Sequence, residues 1–300
     1  MRAAQVPGSS AELTDPAPLD PGLWLVSTPI GAARDITLRA LDVLGQAQVL
    51  AAEDTRSLRH LMQIHGISPG GRPMLAYHDH NGARMRPRLL AELAAGRSVA
   101  YASEAGTPLV ADPGYQLVRA AVAAGHPVHA VPGASAVLVA LAVAGLPTDR
   151  FAFMGFPPAQ AGLRKTWLAE IAAIPATCVF YESPRRVARL LAEMAPVFGA
   201  DRPAAVCREL TKRHEEVLRG PLGALAEALA ARELKGEVVV LTGRPQARAA
   251  DAGELEAALD AALAESSLRA AVDRVAAELG LPRRQVYQAA LARRAGPGDD

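Results

Sequence analysis

The chain has 300 residues, half of them hydrophobic, and a formal charge of +1. That length fits about two domains with sizeable cores, and the near-neutral charge gives no whole-chain signal for nucleic acid. Two cysteines, Cys178 and Cys207, each inside an apolar run, exclude a disulfide framework and read as buried thiols of a reducing compartment.

Residues 1–21 are rich in Pro, Ser, Ala and Asp, lack periodicity, and read as a disordered leader. No basic segment followed by an apolar core marks a secretory signal, and the Ala/Val-rich run at 134–145 is too short to span a bilayer. A cytoplasmic protein is expected. From Leu23 short apolar runs alternate with helical patterns. Strands are expected at 23–28, 49–52, 75–77, 99–102 and 128–131, and helices at 37–44, 88–95, 116–124 and 135–144. The last two helices end at Gly125 and Gly145. This rhythm implies a mainly parallel sheet with helices on its faces. Residues 145–149 break the pattern and suggest a domain boundary.

A second α/β series follows. Strands are expected at 151–156, 177–181, 204–207 and 237–242, and helices at 166–173, 184–194 and 222–234. Pro184 would occupy the first turn of its helix. The resulting domains are 22–147 and 148–245, with a helical extension at 246–300. In that extension two short helices flank Gly280 within 268–291, and Arg283, Arg284, Arg293 and Arg294 surround the second. The spacing fits a helix-turn-helix that meets phosphates; it equally fits a helical hairpin with a solvated basic face.

Several strand-end loops can carry chemistry. ASEAGTPLVADPGY, starting at Ala102, packs Glu104, Gly106, Thr107 and Pro108 directly behind a strand. Small residues there let backbone approach a ligand, and carboxyl ends of strands are where α/β sheets bind ligands. The bland alternative is a loop with two tight turns. Pro29-Ile30-Gly31 lacks the full GxGxxG dinucleotide fingerprint. Pro132-Gly133-Ala134-Ser135-Ala136 places Ser135 where a hydroxyl caps a helix. In Phe180-Tyr181-Glu182-Ser183-Pro184-Arg185-Arg186, two arginines at a helix start oppose the helix dipole and hint at an anionic partner. Residues 207–216 form a dense charge cluster, either a solvated face or a phosphate-contacting loop. His78 and His80 lack a third ligand at standard spacing, so no metal is expected. Neither a GxSxG elbow nor a P-loop is present.

Together the segments STPIGAARDITLRAL, AAEDTR, HDHN, SEAGTPLVADPGY, VPGASA, GLPTDRF, FYESPRR, RELTKRHEE and KGEVVVL resemble, in this order, the ribosomal RNA small-subunit methyltransferase I family. That family lies within the tetrapyrrole-methylase superfamily. The resemblance spans roughly 22–245, and the tail resembles the family's helical extension. The family's usual aspartate in the SDAGTP loop is here Glu104, and its usual asparagine after the PIG turn is Ala32.

The resemblance implies two α/β domains, S-adenosylmethionine in the cleft between them, and a homodimer. It implies 2′-O-methylation of a cytidine ribose in the decoding region of 16S ribosomal RNA. Implied cofactor contacts are Pro29, Ile30, Gly31, Ser103, Glu104, Ala105, Gly106, Thr107, Pro132, Gly133, Ser135, Ala136, Phe180, Tyr181, Glu182, Leu210, Gly236 and Glu237. A ribose hydroxyl is a poor nucleophile, so a base or orienting group helps. The candidates are Asp54, Glu182, Glu209 and Lys212. Arg56, Arg185, Arg186, Lys212, Arg213, Arg283 and Arg284 are candidates for gripping RNA. Two other readings share the scaffold: a small-molecule tetrapyrrole methylase and a non-catalytic RNA-binding relative.

Overall fold

The computed structural model describes residues 18–111, 113–245 and 252–295. Most of the expected leader and the Asp112 turn position lie outside them. Leu19, inside the leader as read from sequence, packs against the first domain's core.

The first domain contains β1 (Gly22–Val26), α1 (Leu38–Gln46), β2 (Val49–Ala52), α2 (Thr55–Ile64), β3 (Met74–Ala76), α3 (Gly82–Ala94), β4 (Ser98–Ala102), α4 (Tyr115–Ala123), β5 (Val128–Val131) and α5 (Ala136–Ala144). Its sheet runs β3-β2-β4-β1-β5, and every pairing is parallel. Strand side chains alternate between faces. Ala100 and Ala102 join α1 and α2 on one side, while Val99 and Tyr101 join α3 and α4 on the other. The register sets Val26 beside both Ala102 and Val131, and Ala52 beside Ala102. Four chains therefore leave the sheet along one edge, at Ser27, Glu53, Ser103 and Pro132.

The second domain contains β6 (Phe151–Phe153), α6 (Ala161–Ile171), β7 (Thr177–Glu182), α7 (Val187–Phe198), β8 (Pro203–Arg208), β9 (Glu216–Pro221), α8 (Leu222–Ala230) and β10 (Val238–Thr242). Its sheet order is β6-β7-β10-β8-β9, and only β6 and β7 are parallel. The antiparallel β10 brings its start to where β7 and β8 end: Val238 lies opposite both Glu182 and Arg208.

Helix α5 joins the domains. It is apolar nearly all round, as a helix buried on several sides must be. Val137, Ala140, Leu141 and Ala144 pack with Val179, Ala205, Val239 and Leu241 on the free face of the second sheet. Arg219 donates two hydrogen bonds to the Val143 carbonyl, satisfying an acceptor at the helix end, at 3.0 and 2.5 Å.

The structure corrects several expected elements. Helix α7 starts at Val187, because Pro184 to Arg186 form a turn in which the Ser183 carbonyl accepts the N–H groups of Arg186 and Val187. Helices α2 and strand β9 add to the expected set. The tail holds α9 (Ala252–Glu265), α10 (Leu268–Leu279) and α11 (Arg283–Ala295). Gly280 turns between the last two at φ 64°. Leu259, Val272, Val275 and Val286 sit in a core built from tail residues alone. No helix of the described residues is long and apolar enough to cross a membrane.

Candidate active site in the interdomain cleft

A cavity of about 700 Å³ lies where the edge of the first sheet faces the ends of β7, β8 and β10. That volume is in the range of a small-molecule site, about 300–1,000 Å³. Its first-domain wall comes from the strand-end loops, which are tied together. Thr28 and Gly106 exchange backbone hydrogen bonds at 2.9 and 3.1 Å, and the Thr107 hydroxyl donates to the Ala134 carbonyl at 3.1 Å. Apolar surface comes from Ile30, Val110, Phe156, Tyr181 and Val239, and carboxylates from Glu53, Glu104, Glu182 and Glu237.

Gly31 allows the two domains to meet, and Gly236 allows two loops of the second domain to meet behind that seam. A Cβ on Gly31 would stand 2.5 Å from Lys212 Cγ and 2.6 Å from Thr211 Oγ1. The next residue, Ala32, donates its N–H across the cleft to Thr211 Oγ1 at 3.1 Å. Gly236, at φ 89°, has no room for a side chain, since its Cβ would lie 2.3 Å from Glu209 Cδ. Glu209 and Thr211 themselves hold positive φ, at 50° and 64°. Strained backbone of this kind persists where surrounding contacts over-determine it, and it clusters at functional sites.

The charges of this second-domain wall are locked. Lys212 Nζ donates to Glu209 Oε1 and Glu237 Oε2, both at 2.9 Å. Burial works against the ammonium, but these two hydrogen bonds outweigh it and raise its pKa. The Lys212 hydrogen bond holds the Glu209 carboxyl below its ordinary range, helped by the Glu237 N–H. Glu182 is buried; its Oε1 accepts the Ser183 N–H at 2.7 Å, and its Oε2 lies 3.0 Å from Arg186 Nη2. The same guanidinium nitrogen donates to the Pro157 carbonyl at 2.9 Å. The cation at the start of α7 is thus matched inside the protein.

Of the cofactor contacts implied by sequence, Pro29, Ile30, Gly31, Glu104, Ala105, Gly106, Thr107, Ser135, Ala136, Tyr181, Glu182, Gly236 and Glu237 line the cavity. Ser103 and Leu210 are buried behind it, Pro132 and Gly133 are exposed outside it, and Phe180 points into the second domain's core. Of the base candidates, Glu182 and Lys212 line the cavity, and Glu209 lies under Gly236. Asp54 turns away to cap α2, accepting the Arg56 N–H at 2.8 Å and pairing with the Arg56 side chain, whose hydrogen bond brings its pKa to about 2. Arg185, Arg213, Arg283 and Arg284 are exposed, and Arg56 rises beside the cleft. Sequence reasoning missed Glu53, Ser57, Val110, Phe156, Ser183 and Val239. Glu53 stood inside the quoted AAEDTR segment, and the signal was present: an aspartate directly before a helix reads as its N-cap, leaving the preceding glutamate to face the cleft.

Residues 22–226 match the model of the Tetrapyrrole (Corrin/Porphyrin) Methylases, and residues 249–294 match the RsmI C-terminal HTH domain. The chain is 45% identical over 285 residues to a Ribosomal RNA small subunit methyltransferase I of Mesorhizobium japonicum, covering 94% of this chain and 96% of that one. A protein of the same description from Micromonospora olivasterospora is 44% identical over 92% of this chain and 88% of its own. The solved uroporphyrin-III C-methyl transferase of Thermus thermophilus, complexed with S-adenyl homocysteine, is similar in fold. It shares 21% identity at a TM-score of 0.52, over 74% of this chain and 97% of that structure.

Proposed function

The chain belongs to the ribosomal RNA small subunit methyltransferase I family of the tetrapyrrole methylases, and from that premise we propose that it transfers a methyl group from S-adenosylmethionine to ribosomal RNA of the small subunit. The acceptor in this reading is the 2′-oxygen of a cytidine ribose in the decoding region of 16S ribosomal RNA. The protein works in the cytoplasm as a homodimer.

The observation that carries the reading is the cleft itself. Its first-domain wall is bare backbone at Gly31 and Gly106, and apolar Ile30, Val110 and Val239 adjoin carboxylates. An adenosine fits the apolar part, and Glu104, Glu182 and Glu237 suit the ammonium, the ribose hydroxyls and the sulfonium charge. When bound, S-adenosylmethionine supplies an electrophilic methyl group on a cationic sulfur.

The chain's own residues supply placement. Backbone around Gly31, Gly106 and Gly236 fixes the depth of the floor. The paired Lys212, Glu209 and Glu237 keep the second-domain wall rigid, so little reorganisation accompanies the chemistry. Tyr181, held edge-on by Phe153 and Phe156 at centroid distances of 4.8 and 5.5 Å, excludes water from one side. Exposed Arg185 and Arg213 near the mouth, and Arg283 and Arg284 in the tail, present cations to phosphates.

The test is methyl transfer from labelled S-adenosylmethionine to small ribosomal subunits lacking the modification. One alkali-resistant cytidine in the decoding region is expected. A methyl group on a base, or transfer only to a tetrapyrrole, overturns the reading.

A further inference from the structure

We propose that Glu53 is the proton acceptor for the attacking ribose hydroxyl, an assignment that rests on the cleft being a ribose methyl-transfer site. The argument starts from the carboxylates at the cleft. Glu209 is held by Lys212 and the Glu237 N–H. Glu237 is spent on Lys212. Glu182 is spent on Ser183 N–H and Arg186. Asp54 is spent on capping α2 and on Arg56, outside the cavity. Each of these four already faces a hydrogen-bond or ion-pair partner inside the protein.

Glu53 differs. It lines the cavity at the carboxyl end of β2, and no hydrogen bond to its carboxylate is formed among the described residues; Glu104, the other cavity carboxylate without one, is exposed, whereas Glu53 is half-buried. Burial raises its pKa most, and Glu104 and then Asp79 add to the effect. His78 opposes it. These groups come from the ends of β4 and β3, and Lys212 stands on the second-domain wall. A carboxylate set near like charges in a partly desolvated place binds a proton more readily than one free in water.

In the step, the ribose O–H bond breaks and its proton passes to a Glu53 carboxylate oxygen. The oxygen forms its bond to the methyl carbon, and the electron pair of the breaking carbon–sulfur bond stays on the departing thioether. Charge balances: a sulfonium and a carboxylate become a neutral thioether and a neutral acid. Ser57, in the first turn of α2 and also lining the cavity, offers a hydroxyl to the incoming nucleoside.

The test compares wild type with Glu53→Gln and Glu53→Asp in the full-length protein. Cofactor affinity is measured by calorimetry, single-turnover ribose methylation is followed against pH, and the Glu53 carboxyl is titrated in the free protein by carbon-13 NMR. The Gln variant is expected to lose on the order of 10²–10⁴-fold in rate, the usual contribution of general-base catalysis, and the acid limb of the pH profile with it. Cofactor affinity should stay within about threefold, or about 0.7 kcal/mol. The Asp variant should keep the acid limb at a reduced rate. The carboxyl should titrate above the ordinary range. A Gln variant with wild-type rate and pH profile, alongside ribose methylation by wild type, overturns the assignment alone; so does a Gln variant whose loss is entirely in cofactor affinity. A wild-type protein that methylates a base overturns the functional reading as well.

Discussion

At the scale of single residues, the cleft depends on atoms that are missing. Gly236→Ala would add a Cβ at a positive φ, 2.3 Å from Glu209 Cδ, and so push the carboxylate away from Lys212 and the Glu237 N–H. Positive φ on a non-glycine residue alone costs about 1–3 kcal/mol. Gly236→Ala should therefore lower stability by at least that much in urea denaturation and weaken cofactor binding in calorimetry; unchanged affinity would detach this glycine from the site. A second residue-scale prediction concerns pH. Arg164 is 3% exposed and bonds both oxygens of Glu193, which brings the Glu193 carboxyl to about 2. A depressed carboxyl stabilises the fold above its unfolded pKa, and that contribution fades as pH falls toward the folded value. Glu193→Gln should cost about 2 kcal/mol at pH 7, less than a fully buried pair because Glu193 is 30% exposed. The gap from wild type should narrow below about pH 4 and close near pH 2, read from denaturation curves across that range. A gap constant with pH would mean that Glu193 acts through packing instead.

At the scale of elements, α5 decides whether the two domains form one site. Its small residues let it lie close on the second sheet, with Ala140 and Ala144 against β10 and β8. Ala140→Leu should overpack this contact, costing about 1–3 kcal/mol. It should also lower cofactor affinity by spreading the two walls, although Ala140 is not in the cavity lining. Loss of stability with affinity intact would show that the walls do not depend on the α5 seat. Much of this architecture was legible. The apolar runs of the first domain fall within two residues of its strands, and Gly125 and Gly145 mark helix ends because they take positive φ. Strand direction was not legible in the second domain, since an apolar run looks the same either way. The seven-residue link from β8 to β9 is too short for a crossover, but β9 went unseen because Glu216, Arg219 and Gly220 interrupt its apolar pattern. Helix α2 was obscured by the polar Arg59, His60 and Gln63 among Leu58, Leu61 and Met62. The site was legible as loops and not as side-chain directions. Phe180 sits within a quoted loop motif yet faces the core, and Glu53 beside Asp54 faces the cleft.

At the scale of the molecule, the tail is a module with its own core, and its charges are partly used at home. Arg283 pairs with Asp273, and Arg293 pairs with Asp260 and Glu256. Exposed Arg284, beside Tyr287 at 42% exposure and Leu291 at 44%, gives α11 a mixed face. Cations on such a face position RNA through its phosphates, and apolar groups beside them suit stacking on unpaired bases. Removing residues 246–300 should leave the two α/β domains folded, because among the described residues none of their four cores includes a tail residue. Cofactor affinity should persist, while binding to the small subunit should weaken and lose part of its salt dependence, each lost phosphate contact reducing the slope by about 0.7–0.9. The decisive comparison is therefore the truncated against the full chain at several salt concentrations. A weaker but equally salt-dependent complex would mean that the tail contributes shape or apolar contact instead of charge. An unchanged rate of methylation would confine RNA recognition to Arg56, Arg185 and Arg213 around the cleft.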